Sequence, residues 1–224
     1  MDKNELLKKH PYIQMKVREL INEYSDVFSS PEQEIGKTNL IEFDIKIEDG
    51  ARAFKSKLHP LNPDQKKSLK AQIELWKKED VIEESDSPWA LALVPVIKKD
   101  STLRWAVDYS QLNSVTIKDA YPLPNISENL DKLQGSKIFS NLDPAGAYHT
   151  IPVKSEAKTM LAFTMPFGFY TFKRMPFGPT NSGQVYSRFM QMVVDKLRSP
   201  YVLAYIDDII NHTLDMETHL EHLR

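Results

Sequence analysis

The tetrapeptide Tyr205-Ile206-Asp207-Asp208 constrains this chain more than any other stretch. It follows the strand-formers Tyr201-Val202-Leu203-Ala204 and precedes Ile209-Ile210. Consecutive side chains on a strand point to opposite faces, so two adjacent carboxylates can serve one ligand only where the chain turns. The pattern predicts a β-hairpin whose tip carries dense negative charge, for which a divalent cation is the natural partner. Asp is also a common turn residue. A solvated acidic turn would show the same four letters, so the tetrapeptide alone does not choose.

A second acid stands at the end of another apolar run. Ile138-Phe139-Ser140-Asn141-Leu142 reads as a strand, and Asp143-Pro144-Ala145-Gly146-Ala147-Tyr148 follows it. Pro144 forbids simple continuation of that strand. Loops at strand ends commonly carry chemistry, and the small residues at 145–147 let a ligand approach the backbone. A third carboxylate from a separate strand would complete a two-metal cage. Such cages hold ions about 3.5–4 Å apart and serve in-line phosphoryl chemistry.

Composition narrows the class. The 224 residues suffice for one or two domains, and a 41% hydrophobic fraction supports a real core. No window approaches about 18 continuous apolar residues, and residues 1–5 carry no apolar signal-peptide region, so no membrane partner is expected. The chain has no cysteine, which excludes disulfides and thiolate metal sites and is compatible with an intracellular, reducing location. The net charge of −2 argues mildly against a nucleic-acid binder. Its distribution says more: residues 51–78 hold eight basic and two acidic residues, whereas 1–50 hold seven basic and eleven acidic. The basic stretch reads as a phosphate-facing surface or as an ordinary solvated helix face.

Periodicity yields a coarse α+β layout. A helix is expected over 12–25, broken at Ser29-Ser30-Pro31. Alternation at Ile41, Phe43, Ile45 and Ile47 predicts a half-buried strand. Asn62-Pro63 opens a helix with an N-cap and a first-position proline, and Leu69, Ile73 and Trp76 mark its buried face. Strands follow at 91–98 and 103–108, then a helix from Pro124 that ends at Gly135. Residues 161–173 read as a hairpin turning at Pro166-Phe167-Gly168. A long helix is expected over 181–197 and a last one over 216–224. His212, His219 and His222 are read as surface residues, because no cysteine or acidic set completes a tetrahedral zinc site around them.

Taken in order, a longer series of segments resembles the reverse transcriptase of gypsy-type LTR retrotransposons and, more distantly, the retroviral enzymes. The series begins with Ser87-Pro88-Trp89-Ala90, Val96-Ile97-Lys98-Lys99-Asp100, Arg104-Trp105-Ala106-Val107-Asp108-Tyr109 and Leu112-Asn113. Asp119-Ala120-Tyr121-Pro122-Leu123-Pro124 and Leu130-Asp131-Lys132-Leu133-Gln134-Gly135 follow. It closes with Phe139-Ser140-Asn141-Leu142-Asp143, Gly146-Ala147-Tyr148-His149, Met175-Pro176-Phe177-Gly178 and Tyr205-Ile206-Asp207-Asp208.

The resemblance implies a right-hand polymerase fold, with an antiparallel palm sheet packed on helices and no thumb. It implies an N-terminal helical segment over 1–37, a fingers-like region over 38–120 and a palm-like catalytic region over 121–224. The implied activity is RNA-directed DNA synthesis: a primer 3′-hydroxyl attacks a dNTP on an RNA or DNA template, and pyrophosphate leaves. Asp143 and Asp207 would bridge two Mg²⁺ ions, with Mn²⁺ as a substitute. Asp208 would ligate more loosely, and the Pro144 carbonyl would complete one metal shell. Arg104, with Lys98 or Lys99, would grip the triphosphate. Ala147 and Tyr148 would lie under the sugar, Tyr148 excluding a 2′-hydroxyl, and Phe177 would touch the incoming nucleotide. The location implied is a cytoplasmic particle or the nucleus.

Several positions depart from the family pattern. Asp108-Tyr109-Ser110 lacks the arginine common in relatives, which would brace the fingers. Pro179-Thr180-Asn181-Ser182-Gly183-Gln184 differs at the start of a helix, and Asn211-His212 replaces apolar residues, which should weaken the packing of that strand. The chain stops at Arg224, short of the primer-gripping hairpin, thumb and RNase H parts that follow in relatives. The resemblance therefore leaves two readings: a catalytic piece that works with remaining polyprotein parts, or a truncated or co-opted remnant that binds nucleic acid or a protein without catalysis.

Overall fold

The computed structural model describes residues 10–29, 35–97 and 103–224. In chain order its elements are α1 (Pro11–Glu23), α2 (Pro63–Lys78), β1 (Ile82–Glu84), β2 (Leu91–Ile97), β3 (Leu103–Asp108), α3 (Ser110–Val115), α4 (Ile126–Leu133) and β4 (Ile138–Leu142). Then come a 3₁₀ turn (Ala147–Thr150), α5 (Ser155–Lys158), a second 3₁₀ turn (Thr159–Leu161), β5 (Phe163–Met165), β6 (Gly168–Phe172), α6 (Ser182–Leu197), β7 (Val202–Tyr205), β8 (Asp208–Thr213) and α7 (Met216–His222). The chain forms two units. The first comprises Met1–Gln33, Leu123–Ala145 and Met190–Arg224; the second comprises Glu34–Pro122 and Gly146–Phe189. The α+β reading of the sequence holds.

The first unit is built on a three-stranded antiparallel sheet in the order β4-β8-β7. Ser140 pairs with Asn211 and Ile138 with Thr213, so these residues share one face. Helix α7 lies against that face through His219. Asp215 caps α7, its side chain accepting from the Thr218 amide. The Thr213 hydroxyl donates to the Asp215 carbonyl at 2.8 Å, so its oxygen accepts from His219 Nδ1 at 3.0 Å. The Ser140 hydroxyl then donates to His219 Nε2 at 2.8 Å. Asn211 Nδ2 donates to the His219 carbonyl, and the Ser136 hydroxyl meets His212 Nδ1 at 2.9 Å. Two expectations are thereby corrected. His212 and His219 are 4% and 3% exposed, so of these three only His222 lies at the surface. The polar run Asn211-His212-Thr213 is buried rather than exposed: Ser136, the His219 carbonyl and the Asp215 carbonyl partner it in part, while Asn211 Oδ1 and His212 Nε2 are buried without a described partner.

The second unit holds a five-stranded sheet in the order β1-β6-β5-β2-β3. All its pairings are antiparallel except β2 with β5. Helix α2 starts where the sequence predicts it. Asn62 Oδ1 accepts from the Gln65 amide at 2.8 Å while Gln65 Oε1 accepts from the Asn62 amide, a reciprocal capping box. Leu69 and Ile73 are buried beneath it, and Trp76 meets Phe163 and Phe172 edge-on. Helix α4 begins at Ile126, two residues later than Pro124 suggested, because the Asn125 side chain caps it by accepting from the Ser127 amide.

The hairpin over 161–173 is present, with Met165 paired to Gly168 across Pro166-Phe167. Residues 41–47 bury as their alternation predicts, with Phe43 and Ile45 inside, yet they form no ladder. Their backbone pairs only at isolated bridges, Phe43 with Val153 and Ile47 with Thr116. Each neighbour runs alongside for a single residue, so the alternation records burial without a strand. The helix break at Ser29-Ser30-Pro31 falls partly outside the described residues; α1 itself ends at Glu23.

Candidate active site

The acids belong to the first unit. Leu142 pairs with Ile209, so β4 ends just before Asp143, beside the strand that opens with Asp208. Tyr205 pairs with Asp208 on the other side of β8, which makes Ile206-Asp207 a two-residue tip. Ile206 holds φ +54. A β-branched residue in the left-handed region stores about 1–3 kcal/mol of strain, and such strain clusters at functional sites. Asp143, Asp207 and Asp208 thus leave one end of one sheet, with Pro144 directly after the first. Asn141, two residues before Asp143, donates from Nδ2 to Asp208 Oδ1 at 3.1 Å.

All the donors at this end are hard oxygens and none is sulphur, which fits Mg²⁺ or Mn²⁺ by ligand type. Among the described residues, no three of His, Asp or Glu stand close enough together to hold an ion. The sheet gathers the carboxylates at one edge without closing them around a point.

The remaining candidates that can be placed belong to the second unit. Arg104 rises from β3 with its guanidinium 4.8 Å above the Phe177 ring, a cation–π arrangement. Tyr148 lies against Phe177, centroids 4.4 Å apart, and stacks nearly parallel on Tyr186 at 5.1 Å. Ala147 is buried at the start of its 3₁₀ turn, which the left-handed Gly146 makes possible at φ +61. The structure therefore brings Arg104, Tyr148 and Phe177 into one aromatic cluster. Lys98 and Lys99 lie outside the described residues.

Sequence reasoning missed what holds this cluster. His149 Nδ1 donates to the Met175 carbonyl at 3.2 Å, and its ring meets Phe177 edge-on. Burial, chiefly, pulls its pKa down to about 4, with Arg174 and Arg104 acting in the same direction, so the ring is neutral near pH 7. A cavity of about 180 Å³ is bounded by Trp76, Arg104, Tyr109, His149, Phe172 and Phe177 among others. The Tyr109 hydroxyl is buried without a described partner, and burial pushes its pKa well above 10.

Asn113 clamps the loop after Phe177: Nδ2 donates to the Gly178 carbonyl at 3.0 Å and Oδ1 accepts from the Thr180 amide at 2.9 Å. Arg174 is buried and donates to the carbonyls of Gly36, Asp80 and His149. The one signal for any of these was the Leu112-Asn113 pair, which carried no stated role. At 108–110 the missing arginine is replaced by a local bond, since Ser110 donates its amide and hydroxyl to Asp108 Oδ1 at 2.9 and 2.6 Å. In the basic stretch, Lys70 and Lys77 lie over the rings of Phe167 and Tyr170, so part of that charge is engaged within the fold.

A three-stranded antiparallel sheet thus carries acids at adjacent strand ends in an α+β chain. Residues 96–224, more than half of the chain, match the family described as "Reverse transcriptase (RNA-dependent DNA polymerase)", and the chain belongs to that family. It is 32% identical over 184 residues to the "Transposon Tf2-3 polyprotein" of Schizosaccharomyces pombe (strain 972 / ATCC 24843), an alignment covering 82% of this chain and 14% of that polyprotein. The Tf2-7 polyprotein of the same organism is 31% identical over the same span. The chain thus spans a small part of the curated relatives it matches.

Among solved structures, it is similar to the prototype foamy virus protease–reverse transcriptase CSH mutant, with a TM-score of 0.83 and 23% identity over 94% of this chain and 28% of that one. The foamy viral protease–reverse transcriptase in complex with an RNA/DNA hybrid gives a TM-score of 0.81 at 23% identity, with the same coverage. At that identity the likeness shows the fold.

Proposed function

We propose that this chain supplies the nucleotidyl-transfer centre of a reverse transcriptase within a gypsy-type retrotransposon polyprotein, extending a primer with dNTPs on an RNA or DNA template. The observation that carries this reading is the pairing of Leu142 with Ile209 and of Tyr205 with Asp208, which ends β4 just before Asp143 beside the strand that opens with Asp208 and leaves Asp207 in the hairpin tip. Asp143, Asp207, Asp208 and the Pro144 carbonyl would hold two Mg²⁺ ions. When bound, the metal lowers the charge barrier between an attacking hydroxyl and a triphosphate.

The protein's own part is positioning and charge. Arg104 presents a planar fork suited to phosphate oxygens, and its place over Phe177 orients that fork. Lys98 or Lys99 would add a second cation. Tyr148, packed on Phe177 and Tyr186, would lie under the sugar, where a ribose 2′-hydroxyl would clash with it. Phe177, 42% exposed, is the aromatic free to meet the nucleotide. The structure of the foamy viral protease–reverse transcriptase in complex with an RNA/DNA hybrid supports a primer–template duplex as the partner class, and the polyprotein relatives support further polyprotein parts as partners.

A non-catalytic remnant is the second reading. It is favoured by the absence, among the described residues, of any three acids or histidines close enough to hold an ion. Primer extension on an RNA template with Mg²⁺, run beside Asp207→Asn, separates the two. Extension that disappears in the variant supports the enzyme; no extension from the folded parent chain supports the remnant.

A further inference from the structure

The cavity bounded by Arg104 and Phe177 lies wholly within the second unit. Those two residues are candidate nucleotide contacts; Trp76, Tyr109, His149 and Phe172 are not, and they line the cavity as well. Its volume of about 180 Å³ exceeds the roughly 150 Å³ at which an apolar cavity accepts a benzene ring. Trp76, Phe172 and Phe177 give it aromatic walls suited to a planar guest. Two polar groups break that lining. Tyr109 is 3% exposed, and its hydroxyl is buried with no described partner, a donor that costs free energy until something accepts from it. His149 donates through Nδ1 to the Met175 carbonyl, which leaves Nε2 of the neutral ring as an acceptor. Arg104 adds positive charge at the wall and so disfavours a cationic guest.

We propose that this cavity is a binding site for a small, neutral, planar heteroaromatic molecule that carries both a bare ring nitrogen and a ring N–H. The bare nitrogen accepts from the Tyr109 hydroxyl, the N–H donates to His149 Nε2, and the ring body packs among Trp76, Phe172 and Phe177. Such a guest is neither a triphosphate nor a metal ion, so the site stands whether or not the chain extends a primer.

The test uses benzimidazole, which has both kinds of nitrogen, beside indole, which has the N–H alone. Binding is followed by nuclear magnetic resonance at the side-chain N–H signals of the tryptophans in the isotope-labelled full chain. Trp76 and Trp105 line the cavity, whereas Trp89, packed edge-on against Phe54, does not. Benzimidazole should shift the Trp76 and Trp105 signals and leave Trp89 unmoved, with a Kd of about 0.1–1 mM for a ligand of this size. It should bind roughly 3- to 10-fold more tightly than indole, the range of one added hydrogen bond. Tyr109→Phe keeps the ring and removes only the unpartnered hydroxyl, so the variant should fold, and circular dichroism checks that it does. In that variant benzimidazole should fall to the affinity of indole while indole binds as before, a change in preference that a merely structural Tyr109 would not produce. Equal affinities in the parent chain, or an unchanged preference in Tyr109→Phe, would overturn the pairing with Tyr109 and with it the ligand class. Shifts at Trp89 as large as those at Trp76 and Trp105 would mean non-specific binding and overturn the site. No shift at tenfold higher benzimidazole would mean a cavity that holds only water, and would overturn the proposal outright.

Discussion

Tyr148 shows how much of a side chain's role depends on what grips it. Its ring packs on both Tyr186 and Phe177, and those contacts resist its turning away from a bulkier sugar. Tyr148→Ala should raise incorporation of ribonucleotides relative to deoxyribonucleotides by at least tenfold, whereas Tyr148→Phe, which keeps the ring, should preserve discrimination. Competition between dNTP and rNTP in primer extension measures the ratio, and equal ratios in Tyr148→Ala and the parent chain would remove Tyr148 from that role. At the same scale, the sequence identified Arg104, Tyr148 and Phe177 as candidates but gave no sign of His149, Tyr109 or Asn113 as their supports. Candidate groups have distinctive chemistry, whereas a supporting residue is defined by which carbonyl it happens to reach. Nothing in the letters of Asn113 says that it will bond on both sides of Pro179, more than sixty residues away.

Among the elements, the loop from Met175 to Thr180 is the one most constrained by backbone. Gly178 holds φ +110, and a Cβ there would stand 2.8 Å from Tyr109 Cδ2. Gly178→Ala should therefore destabilise the fold by about 1–3 kcal/mol through backbone strain alone, with more from the clash. Urea unfolding followed by circular dichroism reads the change. A midpoint equal to that of the parent would show that the loop relaxes.

Elements with local signals were legible in advance: the helix opened by the Asn62 N-cap and Pro63, the turn at Pro166-Phe167, and the strand–Asp-Asp–strand hairpin. Strand β1 was not, since its three residues owe their conformation to pairing with β6 nearly ninety residues later. The stretch 41–47 was misread for the complementary reason. Its alternation is real, but a strand also needs a neighbour that runs beside it for more than one residue.

For the whole molecule, buried neutral histidines make stability depend on pH. The folded pKa of His149 is lowered to about 4 from 6.5, and burial also lowers those of His212 and His219. Each group binds its proton more readily in the unfolded chain. Stability is therefore full above about pH 6.5 and falls as pH drops through the window down to about 4. His149 accounts for on the order of 3 kcal/mol of that loss. Replacing it by Phe, which cannot take up a proton, should flatten the dependence. Thermal unfolding from pH 7.5 to 4.5 tests this, and an unchanged slope in His149→Phe would assign the acid sensitivity elsewhere.

What the sequence by itself determined was local: where helices are capped, where turns fall, which residues bury, and which acids end which strands. Those outcomes follow from side-chain chemistry acting over a few residues. The tertiary structure alone decided that β8 runs between β4 and β7, so that the strand ends next to Asp143 and Asp208 lie side by side. It also decided that Asn141 reaches Asp208, and that His212 and His219 lie inside rather than in water. These depend on strand register and on partners distant in the chain. No local preference encodes either, because a hydroxyl or an amide finds its partner only once the sheet has formed.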